Sequence, residues 1–256
     1  MRVLAIIPAR YASTRFPAKP LAMLGGVMVI ERVYRQVSLA VGEVVVATDD
    51  ERIYDAVRGF GGRVVMTSKS HKSGTDRCYE AYTKVAAESG EFDVVINVQG
   101  DEPFIAREQI LSLVECFERS SEIDIATLVK PFEAEDGVEA LENPNSPKVV
   151  IDKEMRALYF SRSVIPYLRG VERGEWLKNH TFYRHIGMYG FRVEALRAVT
   201  SLPCSSLELA ESLEQLRWIE NGYKIGVGIT DQQTIGIDTP EDLAEAESLL
   251  AAHNLK

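Results

Sequence analysis

Short apolar runs alternate with helical patterns through the first half of the chain. Residues 3–7 form the first such run, and similar runs occupy 43–50, 63–67 and 92–98. Runs of this length are typical of strands buried on both faces of a parallel sheet. Because helical segments are predicted between them, the pattern predicts an α/β fold with a doubly wound, mostly parallel sheet.

The second half departs from this alternation. Residues 131–147 are acidic and contain three prolines, and the two short runs 148–152 and 157–161 predict a hairpin. We therefore expect one domain over residues 1–256 that includes a smaller mixed α/β lobe at roughly residues 131–222.

The charge of the chain is uneven. The net charge is −9, which argues against a nucleic-acid or membrane-surface partner. Residues 1–42, however, hold six Lys and Arg and only one acid, Glu31. A basic first segment in an acidic protein suits a small anionic ligand.

Cysteine use and hydropathy bear on the compartment. Cys78, Cys116 and Cys204 are far apart and form no CxxC pair, so neither a zinc site nor a disulfide framework is indicated. No apolar run approaches the ~18 residues of a membrane span, and the apolar beginning is too short for a signal peptide. We expect a cytoplasmic protein without a membrane partner.

The connector after the first run carries three cations and no acid. Arg10, Arg15 and Lys19 would repel one another unless an anion neutralised them, and Ser13 and Thr14 add hydroxyl donors. Ligands of open α/β sheets bind at the carboxyl ends of strands, which favours a polyphosphate site over three solvated loop charges.

A second polar loop, residues 68–77, precedes a predicted helix. Ser73 or Thr75 is expected to cap that helix. The alternative is that Gly74 lets the backbone approach a base or ribose while the hydroxyls and Arg77 donate hydrogen bonds.

Carboxylates follow two predicted strands. Asp101 and Glu102 come after the fourth run, and Asp238 precedes a helix start in which Thr239 is the N-cap and Asp242 the third helical residue. Capping assigns roles to Thr239 and Asp242 but none to Asp238. Asp101 and Asp238 are therefore candidates to share a hard cation such as Mg²⁺. The alternative for a lone strand-end carboxylate is a helix cap.

Two further segments indicate contacts to an acidic, hydroxylated substrate. The alternation in 182–192 places His185 and Tyr189 on one face, and Arg162 follows an aromatic strand. Residues 206–217 predict one helix whose buried stripe comprises Leu209, Leu213 and Leu216. Its polar face would comprise Glu208, Glu211 and Gln215, and the alternative for that face is a solvated surface.

Seven segments, in order, carry a resemblance to a known family. They are IIPARYASTRFPAKPL, HKSGTDR, VQGDEP, ALYFSRSVIP, RHIGMYGFR, SLELAESLEQLR and GIDTPEDL, and they span residues 3–243. Together they resemble the 3-deoxy-manno-octulosonate (Kdo) cytidylyltransferases. One departure is Ala18, where the family usually has Gly, so the backbone before Lys19 is less free here.

The resemblance implies a Rossmann-like nucleotidyltransferase fold related to glycosyltransferase-A folds. It also implies the reaction of CTP with Kdo to give CMP-Kdo and pyrophosphate for lipopolysaccharide synthesis, with Mg²⁺ as cofactor. A homodimer joined through the smaller lobe is expected by analogy.

The same resemblance assigns roles to residues of this chain. Arg10, Lys19, Asp101 and Asp238 would form the catalytic set, with Asp101 and Asp238 as Mg²⁺ ligands. The nucleotide would be bound by Arg10, Arg15, Lys19, Ser73, Arg77 and Gln99. The sugar would be bound by Arg162, His185, Tyr189, Glu211 and Gln215.

Two other functions are alternatives to this reaction. A nucleotidyltransferase for a different acidic sugar would share the same motifs and differ in its acceptor. A non-catalytic nucleotide sensor would need no metal pair, and the presence of Asp101 and Asp238 weighs against it.

Overall fold

The computed structural model describes residues 1–12, 16–232 and 236–253, without the side chains of the last two. The chain divides into two compact units, Met1–Ile110 with Thr234–Lys256, and Leu111–Gln233. The lobe predicted at residues 131–222 lies within the second unit.

The elements follow one another as the sequence predicts, with a few additions. The strands are β1 (Val3–Ala9), β2 (Met23–Leu24), β3 (Val27–Met28), β4 (Glu43–Thr48), β5 (Val64–Met66), β6 (Val94–Asn97), β7 (Ile125–Pro131), β8 (Lys148–Ile151), β9 (Ala157–Ser161), β10 (Tyr183–Arg192) and β11 (Ile225–Ile229). The helices are α1 (Val29–Ser38), α2 (Glu51–Gly59), α3 (Gly74–Ser89), α4 (Arg107–Arg119), α5 (Gly137–Glu142), α6 (Trp176–Asn179), α7 (Val193–Val199), α8 (Ser206–Glu211), α9 (Glu214–Glu220) and α10 (Pro240–His253), with 3₁₀ turns at Lys19–Leu21, Ala134–Asp136 and Arg173–Glu175. No helix in the described ranges is long and apolar enough to cross a membrane.

The first unit is built on a parallel sheet with the strand order β6-β1-β4-β5. In β1, four consecutive residues, Leu4 to Ile7, are completely buried. Burial on both faces explains why this strand is a continuous apolar run and not an alternating one.

The strand order reverses next to β1. The chain moves from β1 to β4 and β5 on one side and then returns to place β6 on the other. Because parallel crossovers are right-handed, the connecting helices leave on opposite faces, and a crevice opens at the carboxyl ends of β1 and β6. The predicted doubly wound, mostly parallel α/β sheet is confirmed.

The C-terminal segment returns to the first unit. Ile237, Ala246 and Leu250 form a buried cluster with Leu24 and Val29. This packing fixes the start of α10, and therefore the position of Asp238, relative to the beginning of the chain.

The second unit contains a mixed sheet. β7 pairs with β11 in parallel and with β10 in antiparallel orientation, while β8 pairs with both β10 and β9. The hairpin predicted for residues 148–161 is β8 and β9. A β-bulge interrupts the β10–β7 register between Ile186 and Tyr189.

The single helix predicted over residues 206–217 is wrong. Ser212 adopts the left-handed conformation with φ of 52°, and the segment splits into α8 and α9. Leu209, expected in the buried stripe, is 70% exposed, whereas Leu213 is buried at the break. Tertiary contacts explain the break, because Glu211 at the end of α8 accepts hydrogen bonds from the end of β9.

Candidate active site

Two carboxylates and one ammonium group meet at the carboxyl edge of the first unit's sheet. Lys19 Nζ lies 2.5 Å from Asp101 Oδ2 and 3.0 Å from Asp238 Oδ1. Burial lowers the pKa of Lys19, but the hydrogen bonds and charges of the two aspartates outweigh this and raise it. Lys19 is therefore a cation held between two anions.

Each of these side chains is positioned by its own element. Lys19 begins a 3₁₀ turn, Asp101 follows β6, and the backbone N–H of Ile237 donates to the Asp101 carbonyl at 2.9 Å. The N–H groups of Asp238 and Thr239 both donate to the carboxylate of Asp242, and the Asp242 N–H donates to the Thr239 hydroxyl. The predicted helix start at Thr239 is confirmed.

A pocket of about 380 Å³ opens beside this cluster. Its lining comprises Pro8, Ala9, Arg10, Ala12, Lys19, Pro20, Gly74, Gln99, Gly100 and Asp101. A Cβ on Gly100 would lie 2.8 Å from the Pro8 carbonyl oxygen, so only glycine permits this approach of the β1 and β6 ends. Four of the predicted nucleotide-site and metal-site residues, Arg10, Lys19, Gln99 and Asp101, share this pocket.

Arg10 is exposed and is linked to the 68–73 loop. Its Nη2 donates to the His71 carbonyl oxygen at 2.6 Å. The His71 ring pairs with Glu80 on α3, which also accepts from Lys84 Nζ and from the Ser68 backbone N–H. Arg10 is thus oriented by a loop that α3 holds in place.

Ser73 and Arg77 are placed differently from one another. Ser73 caps α3 in a reciprocal capping box with Asp76, so the expected cap is confirmed. Arg77 is fully buried, donating from Nη2 to Asp49 Oδ2 at 2.6 Å and from Nη1 to Thr67 Oγ1 at 2.5 Å. The Arg77 guanidinium therefore lies at the ends of β4 and β5, away from solvent, and its contact with the nucleotide stays a prediction. Arg15, Ser13 and Thr14 lie outside the described residues.

Glu102 has an unusual environment next to Asp101. Its Oε2 is buried and has no hydrogen-bond partner among the residues that the structure describes. Burial, with a smaller contribution from the Asp101 charge, raises the pKa of Glu102 to about 7. A carboxyl held partly neutral here limits the negative charge on the Asp101 side of the site.

The donor set fits a small hard cation. Asp101 and Asp238 supply carboxylate oxygens that already converge on one positive charge. Among the described residues there is no group of three or more His, Cys, Asp or Glu that could hold a metal. Two carboxylates without further protein ligands match the way Mg²⁺ is bound together with substrate phosphates.

A second polar cluster lies in the Leu111–Gln233 unit. Glu211 accepts from the Ser161 hydroxyl at 2.6 Å and from the Arg162 backbone N–H at 2.8 Å. The Arg162 guanidinium donates to three backbone carbonyls, those of Glu211, Pro144 and Ser212. Arg162 was predicted to bind the sugar, and in the structure its guanidinium joins the end of β9 to the end of α8.

His185 and Tyr189 project together as predicted, with ring centroids 5.4 Å apart. His185 Nε2 lies 3.0 Å from the hydroxyl of Thr127 on β7. Burial lowers the pKa of His185 to about 3 and raises that of Tyr189 well above its ordinary value, with Glu214 adding to the latter. Both rings are therefore neutral, and Thr127, which the sequence showed only as part of an apolar strand, joins the set.

Gln215 is buried on α9. Only 3% of its surface is exposed, and within the described part of the chain its amide Nε2 has no hydrogen-bond partner. A buried, unpaired donor is costly and is therefore informative about function.

Comparison with solved structures defines the class of protein. The chain superposes on the structure of a CMP:2-keto-3-deoxy-manno-octonic acid synthetase complexed with CTP with a TM-score of 0.88, at 38% identity and covering 98% of this chain and 99% of the other. A 4-diphosphocytidyl-2C-methyl-D-erythritol synthase from Anaerococcus prevotii matches with a TM-score of 0.58 at 16% identity over 98% of each chain, a likeness of fold alone. The fold is that of the nucleotidyltransferases.

Sequence comparison narrows this to a family. Residues 4–225 match the cytidylyltransferase family. The 3-deoxy-manno-octulosonate cytidylyltransferases of Phocaeicola vulgatus and Bacteroides thetaiotaomicron are 66% and 64% identical to this chain, each over 250 residues and 98% of both chains. The chain belongs to the cytidylyltransferase family, in the branch of the 3-deoxy-manno-octulosonate cytidylyltransferases, and the resemblance found in its motifs is confirmed.

Proposed function

We propose that this chain transfers CMP from CTP to Kdo, giving CMP-Kdo and pyrophosphate for lipopolysaccharide synthesis. The observation that carries the proposal is the convergence of Asp101 and Asp238 on Lys19 beside a pocket at the strand-order reversal. Relatives named for this activity, at up to 66% identity over nearly the whole chain, support the choice of substrates.

The transfer needs positioning and charge neutralisation more than covalent chemistry. The anomeric hydroxyl of the sugar attacks the α-phosphorus in line, its proton is lost, and pyrophosphate leaves. Lys19 and Arg10, with Arg15, are proposed to hold the triphosphate and offset the charge that accumulates on its oxygens. Ser73 and Gln99 are proposed to contact the cytosine or the ribose.

Arg77 is proposed to act on the nucleotide site indirectly. Its guanidinium ties Asp49, after β4, to Thr67, after β5, and is itself completely buried. By fixing the ends of these strands it would hold the edge of the sheet on which the nucleotide is bound.

Asp101 and Asp238 are the residues that would hold Mg²⁺. When bound, the ion would supply neutralisation of phosphate charge and a lowered pKa for the attacking hydroxyl. Lys19 Nζ donates to both of these carboxylates.

The sugar is proposed to bind through Glu211, Gln215, His185 and Tyr189. Glu211 and neutral His185 are suited to accept hydrogen bonds from hydroxyl groups, and the unpaired amide of Gln215 is suited to donate one. Arg162 is proposed to add positive charge for the sugar carboxylate while its donors hold the cluster together.

The oligomeric state and the cellular compartment are proposed from the resemblance to the 3-deoxy-manno-octulosonate cytidylyltransferases. We propose a homodimer formed through the second unit, in which Leu158, Tyr167 and Leu209 are exposed apolar side chains. We also propose a cytoplasmic location, which suits the free thiols of Cys78, Cys116 and Cys204. Size-exclusion chromatography with light scattering tests the proposed homodimer.

One assay tests the reaction and both alternatives. Pyrophosphate release is measured with CTP, Mg²⁺ and either Kdo or a sialic acid. Release with Kdo at the higher kcat/KM supports the proposal, and preference for the sialic acid supports a different acidic-sugar transferase. Binding of CTP without pyrophosphate release in the presence of either sugar would identify a nucleotide sensor.

A further inference from the structure

The hydroxyl of Thr127 lies at the centre of a small buried network in the second unit. Thr127 is completely buried on β7. Its Oγ1 lies 2.9 Å from the Met188 carbonyl oxygen, 3.3 Å from the Ile186 carbonyl oxygen and 3.0 Å from His185 Nε2. All three partners belong to β10, around its bulge.

The single proton of this hydroxyl determines the proton on the imidazole. A carbonyl oxygen can only accept, so the Thr127 hydroxyl must be the donor in its contact with either β10 carbonyl. If the hydroxyl instead donated to His185, its oxygen lone pairs would face two carbonyl oxygens at 2.9 and 3.3 Å without a proton between them. The arrangement that satisfies most groups has Thr127 donating to the Met188 carbonyl and accepting from a protonated Nε2.

His185 then has its second nitrogen available as an acceptor. The low pKa of His185, caused by burial, means that the ring carries one proton near neutral pH. With that proton on Nε2, the lone pair is on Nδ1, which has no hydrogen-bond partner among the described residues.

The same hydroxyl also supports the bulge itself. Ile186 pairs with Leu128 and Tyr189 with Thr127, so β10 has two residues here without a partner on β7, and such a bulge re-aims the side chains around it. Here the irregularity lies between Ile186 and Tyr189, and the ring of Tyr189 packs against His185 on one side and Trp218 on the other. Thr127 thus contacts both the backbone of the bulge and the ring of His185.

We propose that Thr127 is a positioning residue that fixes His185 as the Nε2–H tautomer, so that Nδ1 accepts a hydrogen bond from a hydroxyl group of the acceptor sugar. The identity of that sugar rests on the proposed function, whereas the tautomer does not. The inference makes His185 an acceptor and not a donor, which selects for a hydroxyl at the matching position of the substrate.

The direct test is ¹⁵N NMR of the histidine side chains in the whole protein without ligands. The His185 signals are identified by their absence from the spectrum of His185→Gln. We expect the Nε2–H pattern in the wild type and in Thr127→Ser, which keeps the hydroxyl. Thr127→Val keeps a β-branched side chain of similar size, which suits a strand, but removes the hydroxyl. In this variant we therefore expect a mixture of the two His185 tautomers.

Kinetics give a second readout that a general structural defect would not produce. In Thr127→Val the KM for Kdo should rise roughly three- to tenfold, as for a lost neutral hydrogen bond. The KM for CTP should stay within twofold, and Thr127→Ser should restore the KM for Kdo. Thermal unfolding of each variant checks that the fold is kept.

An Nδ1–H tautomer in the wild type, or identical His185 spectra in the wild type and Thr127→Val, overturns the proposal. If Thr127→Val does not fold, Thr127→Ala, which also lacks the hydroxyl, takes its place in the comparison. Because the spectra are recorded without substrate, they stand or fall independently of whether Kdo is the acceptor.

Discussion

Lys19 Nζ lies 2.5 Å from Asp101 Oδ2, so a cation from the connector after β1 neutralises a carboxylate that follows β6. Asp238 reaches the same nitrogen from the start of α10. Two acids around one base leave a negative charge, which favours a cation. The connector that sequence reasoning assigned wholly to phosphate therefore also organises the carboxylates.

Lys19→Met should lower kcat/KM for CTP by about tenfold to a hundredfold. A charge-assisted contact to phosphate is worth roughly 1.5–3 kcal/mol, and each 1.4 kcal/mol corresponds to about tenfold. Steady-state kinetics measure the effect, and Lys153→Met, which removes an exposed lysine from the β8–β9 turn, is the control. Unchanged kinetics in a folded Lys19→Met protein would mean that the ammonium group serves only the two aspartates.

Asp238→Asn should nearly abolish turnover while keeping the fold. The start of α10 is held by Thr239 and Asp242, whose hydrogen bonds do not use the Asp238 side chain. Mn²⁺ binding followed by electron paramagnetic resonance should weaken in the same variant, independently of catalysis. Glu241→Gln, which changes an exposed acid in the first turn of α10, is the control and should behave as wild type. Full Mn²⁺ binding by Asp238→Asn would remove Asp238 from the metal site.

Gln215→Leu should weaken Kdo binding and stabilise the free protein. The buried Nε2 lacks a partner, so an apolar side chain relieves an unpaired donor in the absence of sugar. With sugar present the same change removes a hydrogen bond, at a cost of about 1–3 kcal/mol. Calorimetry with each ligand and thermal unfolding measure both effects, and exposed Gln232→Leu is the control. Equal weakening of CTP and Kdo would place Gln215 outside a sugar-specific site.

Glu80 should make the first unit sensitive to acid. Burial raises the pKa of Glu80, but Lys84, the Ser68 backbone N–H and His71 outweigh it and lower the pKa from 4.5 to about 2. A carboxyl with a lowered pKa contributes stability that is present above pH 4.5 and is lost as the pH falls toward 2.

Glu80→Gln should therefore be less stable than wild type at pH 7, with the difference shrinking between pH 4.5 and 2. Urea unfolding across this range measures it. The same substitution at exposed Glu118 should give a small difference at every pH. A constant gap between wild type and Glu80→Gln over the whole range would show that Glu80 acts through packing and not through its charge.

The parts of the fold that could be predicted are those encoded in short stretches. Strands such as β1 are buried on both faces and so are apolar throughout. The position of Asp101 could be anticipated because it follows β6 at the carboxyl edge of the parallel sheet, whereas Asp238 lies at the start of α10, which the packing of Ile237 holds in place.

The rest depends on partners distant in sequence. Arg77 and Arg162 are indistinguishable from solvated cations until Asp49, Thr67 and the backbone carbonyls around them are known. The break at Ser212 is similar, because the contacts of Glu211 with β9 outweigh a helical pattern that runs through it. The sequence of a segment shows which polar groups it carries but not which distant groups they contact in the fold.

Ala18, the one departure from the family's motif, has an unusual backbone conformation. It adopts φ of 60° and ψ of 14°, the left-handed conformation, immediately before Lys19. Its N–H donates to the Tyr11 carbonyl and its carbonyl accepts from the Leu21 N–H, so the turn is fixed by backbone hydrogen bonds. A non-glycine residue in this conformation costs roughly 1–2 kcal/mol.

Ala18→Gly should therefore stabilise the protein by up to about 1 kcal/mol, since the relieved strain exceeds the ~0.5–1 kcal/mol of added chain entropy. Ala22→Gly is the matched control: Ala22 has an ordinary extended conformation with φ of −61°, so glycine there should destabilise. Urea unfolding of both variants measures the two free energies, and CTP kinetics show whether the turn still presents Lys19. If both substitutions destabilise equally, the left-handed turn at Ala18 carries no strain and the usual glycine serves the approach of the ligand instead.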